Sequence, residues 1–209
     1  MKILCLCKRR PMGRDILEKP YGRFYHLPRI IAQKGHAVTM ALLSYVPEDP
    51  VEVERDGMLW TSDSVVTGGP RTYLKRLRDL ICREKPDWIA GFSDTYYGML
   101  AEWLGRKNNT RSVIDAYDNY EGYIPWCRPL HYYWRKALSG ASLVTVAGPP
   151  LERYVRRFRE KGDIAIVPMA VDPVGFIPLD REKCRRELGL PLNKKLIGYC
   201  GSLQRNRGV

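Results

Sequence analysis

The stretch that decides the fold is residues 164–209, which read IAIVPMAVDPVGFIPLDREKCRRELGLPLNKKLIGYCGSLQRNRGV. It opens on a β-branched apolar run, Ile164–Val167, which predicts the last strand of a buried sheet. Prolines at positions 168, 173 and 178 then interrupt regular structure and indicate an extended connector. Asp180 is a typical helix N-cap, so we predict a short helix over Arg181–Leu188 that stops at Gly189.

A second apolar run, Leu196–Cys200, predicts a new strand after this helix. It leads into Gly201–Gly208, a glycine turn followed by basic residues where a helix should begin. This order favours phosphate binding, because backbone N–H groups and a helix N-terminus would face an anion. A parallel strand needs neighbours, and none follow in the sequence. We therefore expect the first strand of a second domain whose body is absent.

The motifs of this stretch resemble the interdomain crossing of family-4 glycosyltransferases, which are retaining sugar transferases with the two-Rossmann GT-B fold. The matching motifs are IVP-x-x-VD-x-x-x-F-x-P from Ile166, LGLP from Leu188, and IGYCGSL with RGV from Ile197. Upstream motifs continue the resemblance in the expected order: GHAV at Gly35–Val38, KPDWI at Lys85–Ile89 and GASLVTVAGPPLERYV at Gly140–Val155.

In that family the N-terminal domain mainly holds the acceptor, and the C-terminal domain holds the nucleotide-sugar donor. The resemblance therefore implies an acceptor-binding domain over residues 1–168 and an interdomain linker with a short helix over 169–194. Residues 195–209 would be the truncated start of a donor-binding domain. The implied reaction moves a sugar, with retention, from a nucleotide-diphosphate sugar to an acceptor hydroxyl, in cell-surface polysaccharide or glycoconjugate synthesis. The chain alone is expected to be inactive, because most donor contacts lie outside it.

Alternation of strands and helices along the rest of the chain predicts an α/β fold with a doubly wound, Rossmann-like parallel sheet. Predicted strands alternate with helices from Met1 to Val167, and Met58–Trp60 is the weakest of them. The loop after the first strand contains Gly13 and Gly22 but no G-x-G-x-x-G. A dinucleotide-binding fingerprint is therefore missing, which disfavours a plain NAD enzyme.

The chain of 209 residues carries a net charge of +12, which indicates an anionic partner. Six cysteines are scattered without a C-x-x-C pair, and Cys5, Cys7 and Cys200 lie in apolar runs that predict buried free thiols. We expect no disulfide, no metal site, and a reducing, cytoplasmic setting. Lys8 follows the first apolar run too early for a signal peptide.

Candidate site residues lie where predicted strands end, since ligands of doubly wound sheets collect at the carboxyl ends of the strands. By the resemblance, the loop of Gly22 approaches the donor phosphate and the acceptor; a turn that simply requires glycine is the alternative. Asp94 follows the strand Trp88–Phe92 and would either bind an acceptor hydroxyl or cap the next helix, and the cap is slightly favoured.

The segment Asp115–Glu121 is the third candidate, with three carboxylates and one amide that suit the hydroxyl groups of a sugar. The resembled family often ends this strand with His-Asp, and this chain has Tyr117-Asp118 instead. It does match a D-x-x-D form with Asp115 and Asp118, which we take as the catalytic candidates. Tyr117 and Asn119 are acceptor-binding candidates. The alternative is that Asp115 and Asn119 only fix the loop through bonds to the backbone.

The resemblance also implies a donor-phosphate site at Gly201, Ser202 and Arg207. The family places one basic residue just after the glycine and another before the final glycine. Arg207 matches the second position. The first position is Ser202, so the first basic contact is missing unless Arg205 supplies it.

The resemblance implies no cofactor beyond the nucleotide sugar as co-substrate, and a glycan or lipid-linked acceptor as partner. The basic segments Arg71–Lys85 and Arg153–Lys161 are solvated helix faces or contacts with anionic lipid at the inner face of the membrane. Two other classes remain open. A non-catalytic module would bind a glycan or a protein through the surface of Tyr117–Trp134. A nucleic-acid binder is suggested by charge alone and is not expected, since no recognition motif is present.

Overall fold

The computed structural model describes residues 1–171 and 175–200 of the chain. The described part divides into two compact units, one over Met1–Ala170 and one that begins at Val171. The strands are β1 (Lys2–Lys8), β2 (Ala37–Ser44), β3 (Val51–Arg55), β4 (Met58–Ser64), β5 (Trp88–Gly91), β6 (Arg111–Ala116), β7 (Leu143–Val146) and β8 (Asp163–Ile166). The α-helices are α1 (Arg23–Gln33), α2 (Gly69–Glu84), α3 (Thr95–Lys107), α4 (Arg128–Gly140), α5 (Pro149–Arg156) and α6 (Arg181–Glu187).

The strands of the first unit form one sheet in the order β3-β4-β2-β1-β5-β6-β7-β8. Every neighbouring pair in this sheet is parallel except β3 and β4. The strand order runs outward in both directions from β1, so the connections reverse between β1 and β5. The predicted α/β, doubly wound Rossmann-like sheet is confirmed. The reversal makes the carboxyl ends of β1 and β5 the expected place for a ligand.

Helices cover both faces of the sheet, and alternate residues of β1 belong to different cores. Cys5 and Cys7 pack on the α1 side with Phe24, whereas Leu4 and Leu6 pack on the other side with Leu77 and Leu80 of α2. A third cluster lies between β6, β7, α4 and α5 and is centred on Trp134. Because β1 is buried on both faces, its apolar run is continuous rather than alternating.

The hairpin of β3 and β4 was missed by the sequence-based prediction, which recognised only Met58–Trp60. Asp56 and Gly57 join the two strands with φ values of 54° and 72°. Two successive residues with positive φ form the turn that fits the twist of a hairpin, and Asp-Gly is a strong sequence signal for it. β3 runs antiparallel at the edge of the sheet, so the sheet is mixed rather than wholly parallel.

Two close contacts fix the helices around β5 and β7. Gly91, the last residue of β5, lies directly against the backbone of α3 at Tyr97 and Gly98. Arg159 is 4% exposed, and its guanidinium donates hydrogen bonds to carbonyl oxygens at the C-terminal end of α4. Such carbonyls have no partner within their own helix, so a buried cation that binds them acts as a C-cap.

The helix of the second unit agrees with its prediction. Asp180 is its N-cap and accepts a hydrogen bond from the backbone N of Lys183 at 2.6 Å. Gly189 follows the helix with a φ of 65°, a left-handed conformation that favours glycine.

The predicted strand Leu196–Cys200 is not formed, since residues 195–200 have no regular structure. A strand needs a neighbour for its ladder of hydrogen bonds, and no strand of the described chain pairs with these residues. Cys200 is therefore exposed rather than buried, whereas Cys5 and Cys7 are buried as predicted.

Candidate functional site

The carboxyl ends of β1 and β5 meet at a strained residue, Ser93. Its φ of 75° is left-handed, which is uncommon for a residue other than glycine, and its side chain is buried. Ser93 Oγ accepts a hydrogen bond from the backbone N of Lys8 at 3.1 Å, which ties the two strand ends together. Strained residues at the end of a central strand often mark functional sites.

Asp94 is the N-cap of α3, which was the slightly favoured of the two roles predicted for it. Its Oδ1 accepts a hydrogen bond from the backbone N of Tyr96 at 3.0 Å. Burial raises the pKa of Asp94 above its ordinary value, while backbone hydrogen bonds from Tyr96 and Tyr97 and the charge of Lys8 act in the opposite direction. A role for Asp94 in acceptor binding stays a prediction.

Gly22 is the N-cap of α1 and requires a glycine conformation. Its φ is 72°, and a Cβ at this position would lie 2.9 Å from Cζ of Phe24. The turn alone therefore explains this glycine. Approach of the loop to a phosphate stays a prediction.

The loop that precedes Gly22 is held by a cluster of four charges. Arg9 and Arg10 both bind Asp15, with N–O distances of 2.9 and 2.7 Å, and both also bind Glu48. The hydrogen bond from Arg10 is the largest cause that lowers the pKa of Glu48 to about 2. Because both guanidinium groups bind carboxylates of the chain itself, they fix the loop rather than present free positive charge.

Asp115 lies at the end of β6 and is buried in an ion pair with Arg23. Arg23 Nη2 is 2.7 Å from Asp115 Oδ1, and Arg23 Nε is 2.9 Å from Asp115 Oδ2. The side chains are 6% and 1% exposed. Thr145 also donates a hydrogen bond to Asp115 Oδ1 at 2.6 Å. This geometry leaves little of Asp115 for an acceptor, and its catalytic role stays a prediction.

Asp118 is the more accessible of the two catalytic candidates. Its Oδ2 accepts a hydrogen bond from the hydroxyl of Tyr123 at 2.7 Å, and its Oδ1 accepts one from the backbone N of Asn119 at 2.8 Å. The side chain of Asn119 is exposed. Asp118 therefore fixes the loop through its bond to the backbone N of Asn119, a role that the sequence suggested for Asp115 and Asn119.

Tyr117 links the β5 and β6 loops. Its hydroxyl donates a hydrogen bond to the backbone O of Ser93 at 3.4 Å. Burial raises the pKa of Tyr117 to about 12, so the phenol is protonated at neutral pH. Asp94, Tyr117 and Asp118 therefore all lie at the carboxyl ends of β5 and β6, next to Ser93. Ser93 was not among the candidate residues predicted from the sequence.

Several aromatic side chains around the start of α4 are exposed. Their exposed fractions are 54% for Tyr123, 77% for Trp126, 62% for Tyr132 and 60% for Tyr133. We call these four residues the aromatic surface. Tyr123 connects it to the candidate site through its bond to Asp118.

The other sequence-based expectations concern donor, metal and membrane contacts. The donor-phosphate candidates Gly201, Ser202 and Arg207, with Arg205 as a substitute, lie outside the described residues. Within residues 1–171 and 175–200, no three His, Cys, Asp or Glu side chains are grouped so that they could hold a metal ion. None of the helices in those ranges has the length and apolar character that a membrane span requires.

One cavity of the described chain lies away from the candidate site. It has a volume of about 540 Å³ and is lined by residues such as Thr39, Arg55 and Met58. Thr39 and Met58 lie near the amino ends of β2 and β4, and Arg55 is the last residue of the antiparallel strand β3. The candidate residues lie at the carboxyl ends of the parallel strands. We therefore assign no role in the candidate site to this cavity.

Comparison with protein families identifies the fold that carries this site. Residues 23–170 match the model of the glycosyl transferase 4-like domain. The chain belongs to this family. No curated protein matches this glycosyl transferase 4-like chain.

Solved structures support the same fold. The Anabaena protein HepE, solved in complex with UDP, aligns with a TM-score of 0.62 and 13% identity over 90% of this chain. A sucrose-phosphate synthase from Thermosynechococcus elongatus gives a TM-score of 0.55 and 16% identity, over 90% of this chain and 95% of its own. An E. coli trehalose-6-phosphate protein, bound with UDP-2-fluoro glucose, gives 0.56 and 10% over 90% of this chain.

The chain spans 50% of HepE and 54% of the E. coli protein. The glycosyl transferase 4-like chain thus has the Rossmann-like fold of the N-terminal half of GT-B glycosyltransferases, as the resemblance implied.

Proposed function

We propose that this chain is the acceptor-binding half of a retaining glycosyltransferase that uses a nucleotide-diphosphate sugar. The observation that carries the proposal is the family match over residues 23–170, combined with polar groups at the carboxyl ends of β5 and β6. In this proposal Asp118, Tyr117 and Asp94 orient the acceptor hydroxyl at the sheet edge. Orientation of a bound hydroxyl lowers the barrier to transfer, and basic groups stabilise the leaving diphosphate.

We further propose the domain boundaries drawn from the sequence: the acceptor domain to residue 168, the linker over 169–194 and a donor domain that opens at 195. The boundary of the compact units, after Ala170, supports this division. Donor contacts by Gly201, Ser202 and Arg207 belong to the same proposal. The intact mass of the protein isolated from its source cell tests it. A mass of 24.1 kDa would show that no donor domain is attached to the chain in the cell.

The isolated chain of 209 residues is expected to transfer no sugar. The proposed donor residues are confined to its last positions, so a nucleotide-diphosphate sugar would find few contacts. The purified chain should be incubated with a panel of such sugars and glycan acceptors, and the products analysed by mass spectrometry. Any turnover that depends on the chain would contradict this expectation.

A second candidate function is non-catalytic glycan binding, which the exposure of the aromatic surface favours. Sugar rings bind flat aromatic faces, and Trp126 is the most exposed of the four residues. In this case the chain would hold a glycan on its surface without presenting it for transfer.

Glycan-array binding by two variants distinguishes the two candidates. Asp118→Asn should weaken binding of the selected glycan about tenfold if the acceptor lies at the carboxyl ends of β5 and β6, because a neutral amide accepts a hydrogen bond more weakly than a carboxylate. Trp126→Ala should then have the smaller effect. The opposite ranking would favour the surface module. Glu54→Gln, an exposed change on β3, is the matched control and should bind like the unaltered chain.

We propose in addition that the protein acts in the cytoplasm, at the inner face of a membrane, on a glycan or lipid-linked acceptor of polysaccharide or glycoconjugate synthesis. The exposed Arg71, Lys75 and Arg78 of α2 support contact with anionic lipid. The six free thiols support a reducing compartment. Co-sedimentation with phosphatidylserine vesicles at low salt tests the lipid contact, and unchanged recovery in the supernatant would reject it.

A further inference from the structure

The ion pair of Arg23 and Asp115 joins residues that are 92 positions apart in the chain. Its two hydrogen bonds, at 2.7 and 2.9 Å, are bidentate, the geometry in which a guanidinium binds a carboxylate best. Both side chains are almost fully buried. Removing either partner would leave an unpaired buried charge, so the two groups are energetically coupled.

The same guanidinium also holds the end of β8. Arg23 Nη1 donates a hydrogen bond to the backbone O of Val167 at 2.9 Å and lies 3.4 Å from Sδ of Met169. Thr145 of β7 adds its hydroxyl to Asp115 from another side. The buried pair of Arg23 and Asp115 therefore connects four separate segments: the start of α1, the end of β6, β7 and the residues that follow β8.

These segments carry the candidate acceptor residues. Gly22 directly precedes Arg23, and Tyr117 and Asp118 follow Asp115 by two and three positions. The guanidinium carbon of Arg23 lies 5.7 Å from the ring centroid of Tyr117. The ion pair thus lies within three positions of each of these residues along the chain, and its guanidinium also approaches the ring of Tyr117.

We propose that Arg23 is a positioning residue of the acceptor site, with Asp115 as its buried anchor; this inference rests on the proposed function. Arg23 holds the Gly22 turn, the Tyr117–Asp118 segment and the β8 exit in one arrangement. In this proposal Asp115 acts through Arg23, in place of the catalytic role predicted for it from the sequence. A pair that served stability alone would tolerate replacement by apolar side chains of similar size, whereas a positioning pair would not.

The test measures amide hydrogen exchange in the 209-residue chain, with no ligand present. In Arg23→Ala we expect exchange at residues 117–119 and 165–170 to rise about tenfold or more, beyond any rise in the rest of the sheet. Arg159→Ala is the matched control, because it also removes a buried guanidinium but one that binds the end of α4. A uniform rise in Arg23→Ala, as general destabilisation would cause, overturns the proposal.

A second measurement uses the double variant R23M/D115L. We expect it to recover the global stability lost in Arg23→Ala, while exchange at residues 117–119 and 165–170 stays fast. If the double variant recovered both the global stability and slow exchange at these residues, the pair would be only structural. If Arg23→Ala does not fold, Asp115→Asn and Arg23→Lys give the same comparison. Hydrogen exchange needs no glycan, so the two experiments are independent. The positioning role of Arg23 can fail while the glycan-array result supports acceptor binding, and acceptor binding can fail while the exchange result supports the role of Arg23.

Discussion

A methyl group at Gly91 is expected to destabilise the first unit by about 4 kcal/mol or more. A Cβ at this position would lie 2.3 Å from the backbone O of Tyr97 and 2.7 Å from Cα of Gly98. These are backbone atoms of α3, so no side-chain rotation can relieve the overlap. The helix would have to move away from β5, and Asp94 at its N-terminus would move with it. Urea unfolding of Gly91→Ala, followed by circular dichroism, measures the loss.

Gly122→Ala is the control for this prediction. A Cβ at Gly122 would have its nearest neighbour, Nδ2 of Asn119, at 3.8 Å, an ordinary contact distance. We expect this variant to unfold within about 0.5 kcal/mol of the unaltered chain. If the midpoints of Gly91→Ala and Gly122→Ala agreed, the close packing of α3 on β5 would be refuted.

Arg159→Ala should cost about 3 kcal/mol, the second largest effect that we expect. Arg159 Nη1 donates hydrogen bonds to the carbonyl oxygens of Leu138, Ser139 and Ala141 at 3.0, 3.2 and 2.6 Å. Its Nη2 donates to Ser142 O at 3.0 Å. Alanine would leave these carbonyls without their donor and open a cavity behind α4. The free energy of unfolding in urea again measures the effect.

Arg156→Ala is the matched control, three positions earlier in the chain. Its guanidinium donates to Gly162 O at 2.9 Å, but its side chain is 41% exposed. Water can replace such a contact, so the expected loss is below about 1 kcal/mol. If the two variants lost equal free energies of unfolding, the burial of Arg159 would add nothing to the stability of the protein.

Local patterns in the sequence were sufficient for most of the fold. Apolar runs located β1 and β2, Asp94 and Asp180 were recognisable as caps, and the strand–helix alternation indicated the doubly wound sheet. The hairpin at Asp56-Gly57 was overlooked, although its turn signal was present, because charged residues interrupt the segment before it, Val51–Arg55. The strand Leu196–Cys200 was expected from its composition, but composition cannot supply a pairing partner.

The contacts that organise the candidate site could not be read from the sequence. Arg23 and Asp115 are 92 positions apart, and neither has a local pattern that identifies the other as its partner. The left-handed backbone of Ser93 likewise has no local sequence pattern that identifies it. Residue type and position at a strand end singled out both Asp115 and Asp118, but they could not show that Asp115 is buried in an ion pair, because that burial depends on the tertiary fold.

The edge strand β3 has a consequence for how the protein behaves at high concentration. An open strand edge offers unpaired N–H and C=O groups to other chains and is a starting point for aggregation. β3 reads Val-Glu-Val-Glu-Arg, and Glu52, Glu54 and Arg55 are exposed on it. A second copy that paired antiparallel about Val53 would place Glu52 opposite Glu54, which is unfavourable. At the opposite edge β8 has only four residues, too few for a durable template. The sheet is thereby protected from growth by charge on one side and by shortness on the other.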